Sequence, residues 1–179
     1  EIKDSVAFLR IINQKNDDLA FERIINTPKR SIGDTSVKQL YEWGRKNKKC
    51  LEDSAIELIQ LNKIKPKTKL GLMQILNLFN KWRQDLKNKK HYELMEIILD
   101  ESGYSKMLKD KKDLENEGKL ENLKELIKGM HEFDNLQSFL EHVALATSLD
   151  NDWNGQKVNL MTIHAAKGLE FDAVFLPGW

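Results

Sequence analysis

Between Leu72 and Leu86 the apolar residues Leu72, Ile75, Leu76, Phe79, Trp82 and Leu86 recur at spacings of three and four. That period marks one face of an α-helix and cannot be laid on a strand, whose side chains alternate between two faces. Met73 and Leu78 widen the stripe. The same period runs through most of the chain. Val6, Phe8, Leu9, Ile11 and Ile12 follow a possible cap at Asp4 or Ser5. Leu19, Ala20, Phe21, Ile24 and Ile25 follow Asn16-Asp17-Asp18, and Thr27-Pro28 ends that run, because proline disfavours the α conformation of the residue before it. Val37, Leu40, Tyr41 and Gly44 form the next inner face, and Leu51 to Leu61 another helix. Leu94, Ile97, Ile98, Tyr104, Met107 and Leu108 continue the pattern around a break at Gly103. Leu120, Leu123, Leu126, Ile127 and Met130 line a highly charged helix, and Leu136, Phe139, Leu140, Val143 and Leu145 a last one. A mainly α body is predicted up to about residue 155, and Asp150 to Gln156 reads as a polar loop.

The remaining stretch has a different character. Val158 and Leu160 begin an apolar run, and Ala173 to Leu176 form a second, closed by Pro177-Gly178. Thr162, His164, Lys167, Gly168 and Glu170 lie between them. Two apolar runs around a short polar segment read as strand, turn and strand, and polar groups at the end of a buried strand are where open α/β sheets hold ligands. The same residues also suit a plain connection with solvated side chains.

Composition limits the function classes. Lys and Arg number 29 and Asp and Glu 28, so a nucleic acid could be held only by a local patch. The single cysteine, Cys50, excludes an intrachain disulfide. No apolar run approaches the roughly 20 residues of a membrane span. The first residues, Glu1-Ile2-Lys3-Asp4, are charged and show neither an initiator Met nor a signal peptide. A cytoplasmic protein with no membrane partner is expected.

Three apparent motifs dissolve on inspection. Ile97 to Glu101 looks like a magnesium-holding strand end, but it follows the helical period, and no G-x-x-x-x-G-K-[ST] phosphate cradle occurs in the chain. Asp150, Asp152, Asn154 and Gly155 begin like a calcium loop, yet Met161 stands where the bidentate Glu belongs. His91, His131, His142 and His164 lack zinc-ligand spacing, so no metal is expected, and the first three read as surface or capping residues. The segment Lys29-Arg30-Ser31-Ile32-Gly33 is a stronger candidate. Two cations enter a glycine-containing turn before a helix, and backbone N–H groups at a helix start attract phosphate. An ordinary helix connection with surface cations is the competing reading.

At these residues the chain resembles the UvrD/Rep/PcrA-type superfamily 1 DNA helicases. Leu160 to Phe171 (LMTIHAAKGLEF) resembles their motif V, and Glu1 to Asp4 the tail of motif IVa. Asn26 to Gly33 (NTPKRSIG) is similar to the family's N-x-P-x-R-G-I-G turn, with Ser31 in place of glycine, and Lys119 to Leu126 to a charged helix before motif V. The resemblance implies a helical insertion, subdomain 2B, over residues 27–155. It implies that 1–26 and 156–179 are edges of the RecA-like, P-loop NTPase-type subdomain 2A, small α/β pieces flanking the insertion. It further implies that Thr162 and His164 contact single-stranded DNA and that Gly168 and Glu170 lie at the nucleotide. Lys29, Arg30, Ser31, Ile32 and Gly33 would touch the duplex backbone.

The whole protein would then be an ATP-dependent 3′-to-5′ DNA helicase using ATP and Mg²⁺, with single-stranded and duplex DNA, the remaining helicase subdomains and repair proteins as partners, acting in DNA repair and replication. Without a phosphate cradle this chain is expected to bind no cofactor and to neither hydrolyse ATP nor unwind DNA by itself. Two rivals remain: a non-catalytic helical DNA- or protein-binding module, and the equivalent region of a RecB/AddA-type helicase–nuclease.

Overall fold

A computed structural model of the chain describes residues 1–110, 114–152, 158, 161 and 170–176. Nine helices occur among them, α1 (Ile2–Asn13), α2 (Asp18–Ile24), α3 (Asp34–Asn47), α4 (Leu51–Gln60), α5 (Pro66–Asp85), α6 (His91–Glu101), α7 (Tyr104–Asp110), α8 (Leu114–Met130) and α9 (Leu136–Asp152). No strand occurs among the described residues. The fold is mainly α. Contacts divide the chain into two units, Glu1–Leu145 and Ala146–Trp179.

The first unit is organised around α1. Ser5 to Leu9, Ile11 and Ile12 are all buried, so this helix is enclosed on nearly every side, as an apolar helix must be. It begins two residues before Asp4, and the Ser5 hydroxyl donates to the Glu1 carbonyl at 3.1 Å. The stripe on α5 lies against it. Phe8 meets Trp82 edge-on with ring centroids 6.0 Å apart, and Tyr104 at 6.2 Å. Asp17 caps α2 by accepting from the Ala20 amide at 3.0 Å. Most polar groups inside this core are paired, the Arg83 Nε being a buried donor that finds no acceptor among the described residues. Arg83 donates to both Glu52 oxygens at 2.7 Å and to the Ile11 carbonyl at 2.8 Å. The Tyr104 hydroxyl donates to Asp4 at 2.7 Å, and Arg23 donates to the same carboxylate at 2.7 Å. Helices α1 and α2 therefore share one core with α4 to α8.

Four details differ from expectation. Leu145 is 63% exposed rather than inward. At about 100° per residue, nine residues past Leu136 is the opposite side of α9. Leu19 is exposed for the same geometric reason, lying across α2 from Phe21 and Ile25. Asp150 and Asp152 are helical, because α9 runs on to Asp152, which is not how a calcium loop begins. His91 is buried, not superficial. Its Nε2 lies 2.8 Å from the Met130 carbonyl. A carbonyl only accepts, so Nε2 carries the hydrogen and ties the start of α6 to the end of α8.

In the second unit, residues 173–176 are exposed and form no strand, with Phe175 91% exposed. A strand draws its hydrogen bonds from a neighbouring strand, and none is present among the described residues. Among those residues, too, no helix is long and apolar enough to cross a membrane, and no cluster of His, Cys, Asp and Glu could hold a metal.

Candidate nucleic-acid interface

The turn from Asn26 to Gly33 joins α2 to α3. Two side chains fold its backbone inward. The Asn26 carboxamide oxygen accepts from the Arg30 amide at 2.7 Å and from the Ile32 amide at 3.3 Å. Asparagine favours such turns because its short side chain reaches backbone a few residues on. The Arg30 guanidinium donates to four carbonyls: Pro28 at 3.0 Å, Ile24 at 3.3 Å, Ile25 at 3.5 Å and Ser102 at 2.8 Å. Ile24 and Ile25 lie at the end of α2 and Ser102 caps α6, so these are carbonyls that helix termini leave without intrahelical partners. Burial pushes the Arg30 guanidinium down to about 10, which keeps it charged at neutral pH.

The turn also leans on α5. Thr68 donates its hydroxyl to the Ser31 carbonyl at 3.0 Å. A Cβ added at Gly71 would lie 2.1 Å from the Arg30 carbonyl, so only glycine lets the helix approach so closely. Ile32, 1% exposed, anchors the turn in the core.

The sequence motif is thus divided by direction. Arg30 and Ile32 turn inward, while Lys29, Ser31 and Gly33 are exposed. Gly33 is the N-cap of α3. The amides of Ser31, Gly33, Asp34 and Thr35 find no acceptor among the described residues. One ammonium, one hydroxyl and several N–H groups at a helix start are what a phosphodiester can use without base readout. Asp34, in the first turn of α3, adds the opposing charge.

Ser31 takes φ 61°, so the turn keeps the left-handed conformation at a residue that carries a Cβ. That conformation costs a non-glycine residue about 1–2 kcal/mol, while glycine loses about 0.5–1 kcal/mol more backbone entropy on folding. Ser31→Gly is therefore expected to stabilise the chain by about 0.5–1 kcal/mol in urea denaturation. A loss of stability would show that the serine side chain supports the turn.

The second candidate region is divided differently. Glu170 is exposed and lies in neither helix nor strand, and Thr162, His164 and Gly168 lie outside the described residues. Among the described residues that the sequence singled out as DNA or nucleotide contacts, the Lys29–Gly33 run is assembled into a local geometry. Asn26 entered the sequence reading only as part of a motif, and Thr68, Gly71 and Ser102 did not enter it as parts of the turn. A short-range signal existed for Asn26 in its place before Thr27-Pro28. The other three are fixed by distant contacts that no local pattern encodes.

The profile of the UvrD-like helicase C-terminal domain matches residues 1–179. The chain is 37% identical over 182 residues to the probable DNA helicase II homolog of Rickettsia felis. It is 33% identical over 188 residues to DNA helicase II of Escherichia coli K12, and 33% identical over 189 residues to the ATP-dependent DNA helicase PcrA of Staphylococcus aureus. These alignments cover 100%, 99% and 99% of this chain but only 28%, 26% and 25% of the relatives. The chain spans about a quarter of their length.

Proposed function

We propose, from the premise that this chain belongs to the UvrD-like helicase C-terminal domain family, that it is the duplex-engaging helical region of an ATP-dependent 3′-to-5′ DNA helicase acting in repair and replication in the cytoplasm. The observation that carries this reading is the preshaped turn at residues 26–33, with Lys29, Ser31 and Gly33 outward beside amides that find no acceptor among the described residues. Residues 27–155 are the helical insertion, and 1–26 and 156–179 are edges of the RecA-like subdomain. The buried interface of α1 and α2 with the other helices fastens the first edge to the insertion.

In the whole helicase, ATP with Mg²⁺ supplies the driving hydrolysis. Thr162 and His164 face the single strand, and Gly168 and Glu170 the nucleotide. The chain by itself carries no phosphate cradle and turns over no ATP. Remaining helicase subdomains and repair proteins are its protein partners.

Duplex affinity is expected to be weak and salt-sensitive, with a shallow slope of log K against log salt, since few phosphates are engaged. Lys29→Ala should lower affinity and reduce the slope of log K against log salt by about 1, the amount for one phosphate contact. Fluorescence anisotropy with a labelled duplex measures both. An unchanged affinity and slope in Lys29→Ala would remove Lys29 from the interface.

A further inference from the structure

We infer that Arg30 and Asn26 are positioning residues, which hold the turn in its binding shape from behind while Lys29, Ser31 and the amides at the start of α3 meet the phosphates. This rests on the duplex-binding reading above and assigns a different part to Arg30 within it.

The geometry separates the two roles. Arg30 is half-buried and its Nε finds no acceptor among the described residues, but the Nη groups, the end that would meet a phosphate, are engaged inward. Nη1 of Arg30 is directed at the Ile24, Ile25 and Pro28 carbonyls and Nη2 at the Ser102 carbonyl. The last of these partners is 72 residues away in the chain, at the corner between α6 and α7. Asn26 completes the clamp from the other side by accepting two amides of the turn itself. The clamp also has a fixed wall. The Arg30 carbonyl rests where a Gly71 side chain would be, and Thr68 holds the Ser31 carbonyl. Four elements, α2, α5, the α6–α7 corner and the start of α3, thus converge on eight residues whose outward groups are few. A planar fork suits this task better than an ammonium, because its donors are spread over separate nitrogens in a fixed geometry, while lysine gathers its three donors on one atom.

The inference has a chemical signature. If Arg30 touched phosphate, a lysine would keep the charge and much of the affinity. If it shapes the turn, charge is irrelevant. Four variants of the chain are compared with wild type: Lys29→Ala, Arg30→Lys, Arg30→Gln and Asn26→Ala. Each is measured at a temperature where circular dichroism shows it fully folded, so that a loss of global stability alone leaves binding unmoved. Labelled duplex is titrated between about 50 and 200 mM salt, and amide exchange at Ile32 is followed in the DNA-free chain.

The expected result is that Arg30→Lys, Arg30→Gln and the uncharged change Asn26→Ala all weaken duplex binding by about fivefold, as when only about a fifth of molecules hold the competent turn. Ile32 exchange should accelerate in all three, and Lys29→Ala should weaken binding with Ile32 exchange unchanged. Wild-type affinity in Arg30→Lys, with the salt slope reduced in Arg30→Gln, would overturn the inference and make Arg30 a phosphate contact. Wild-type affinity in Asn26→Ala despite faster Ile32 exchange would overturn it too, since the turn's shape would then not matter. An unaffected Lys29→Ala alongside weakened Arg30→Lys and Asn26→Ala would sink the Lys29 contact alone. Absence of duplex binding by the wild-type chain would overturn both.

Discussion

Trp82→Ala is expected to remove about 4 kcal/mol of stability. Trp82 is fully buried, and its ring sits 6.0 Å from both Phe8 and Phe79. It is therefore the point where α5 meets α1, and truncation leaves a cavity bounded by aromatic rings that cannot close on it without moving two helices. The hydrogen bond is a smaller part of the loss. Nε1 donates to Glu101 at 2.8 Å, but Lys81 also pairs with that carboxylate at the surface, so Glu101 is not stranded. Since a domain is typically stable by only about 5–15 kcal/mol, this single change takes much of the margin. Urea denaturation gives the value. A loss below about 1 kcal/mol would mean that the core repacks, contrary to the tight ring geometry.

Arg83→Met is expected to cost about 3–5 kcal/mol, because it strands a buried carboxylate. Glu52 is 2% exposed, and Arg83 binds both of its oxygens while also satisfying the Ile11 carbonyl in α1. Exchanging the whole pair is different. Replacing both ions by apolar groups of similar volume is often neutral or stabilising, because neither desolvated charge remains. The double variant Arg83→Met with Glu52→Leu should therefore recover most of what the single variant loses, less the cost of the Ile11 carbonyl. A double variant no more stable than Arg83→Met would show that the stranded charge is not the cause.

These residues show where sequence reasoning succeeds. Trp82, Phe79, Ile75 and Leu72 obey one period, and a helix period is local and self-announcing. The Asp17 cap and the left-handed break at Gly103 are equally local. The apolar run 173–176 misled for the opposite reason, since a strand exists only through its neighbour. Charged and polar residues misled in direction. In sequence His91 reads as a surface residue, Arg30 does so in one reading, and Arg83 enters no reading, because what holds them inward includes carbonyls and a carboxylate far along the chain. The Arg83 partners lie 31 and 72 positions away, and that of His91 39. The turn at 26–33 was legible as a glycine-containing turn with two cations before a helix. Which cation faces outward was not, since that depends on Ser102 and Gly71.

The central claim is that this turn is where the chain meets duplex phosphates. Amide chemical-shift mapping of the labelled chain during titration with a short duplex addresses it directly. The account predicts shifts centred on Lys29, Ser31, Gly33, Asp34 and Thr35 that fade as salt is raised, with the inward faces of α1 and α5 unmoved. Shifts confined to other helices, or none at the turn at low salt, would contradict it.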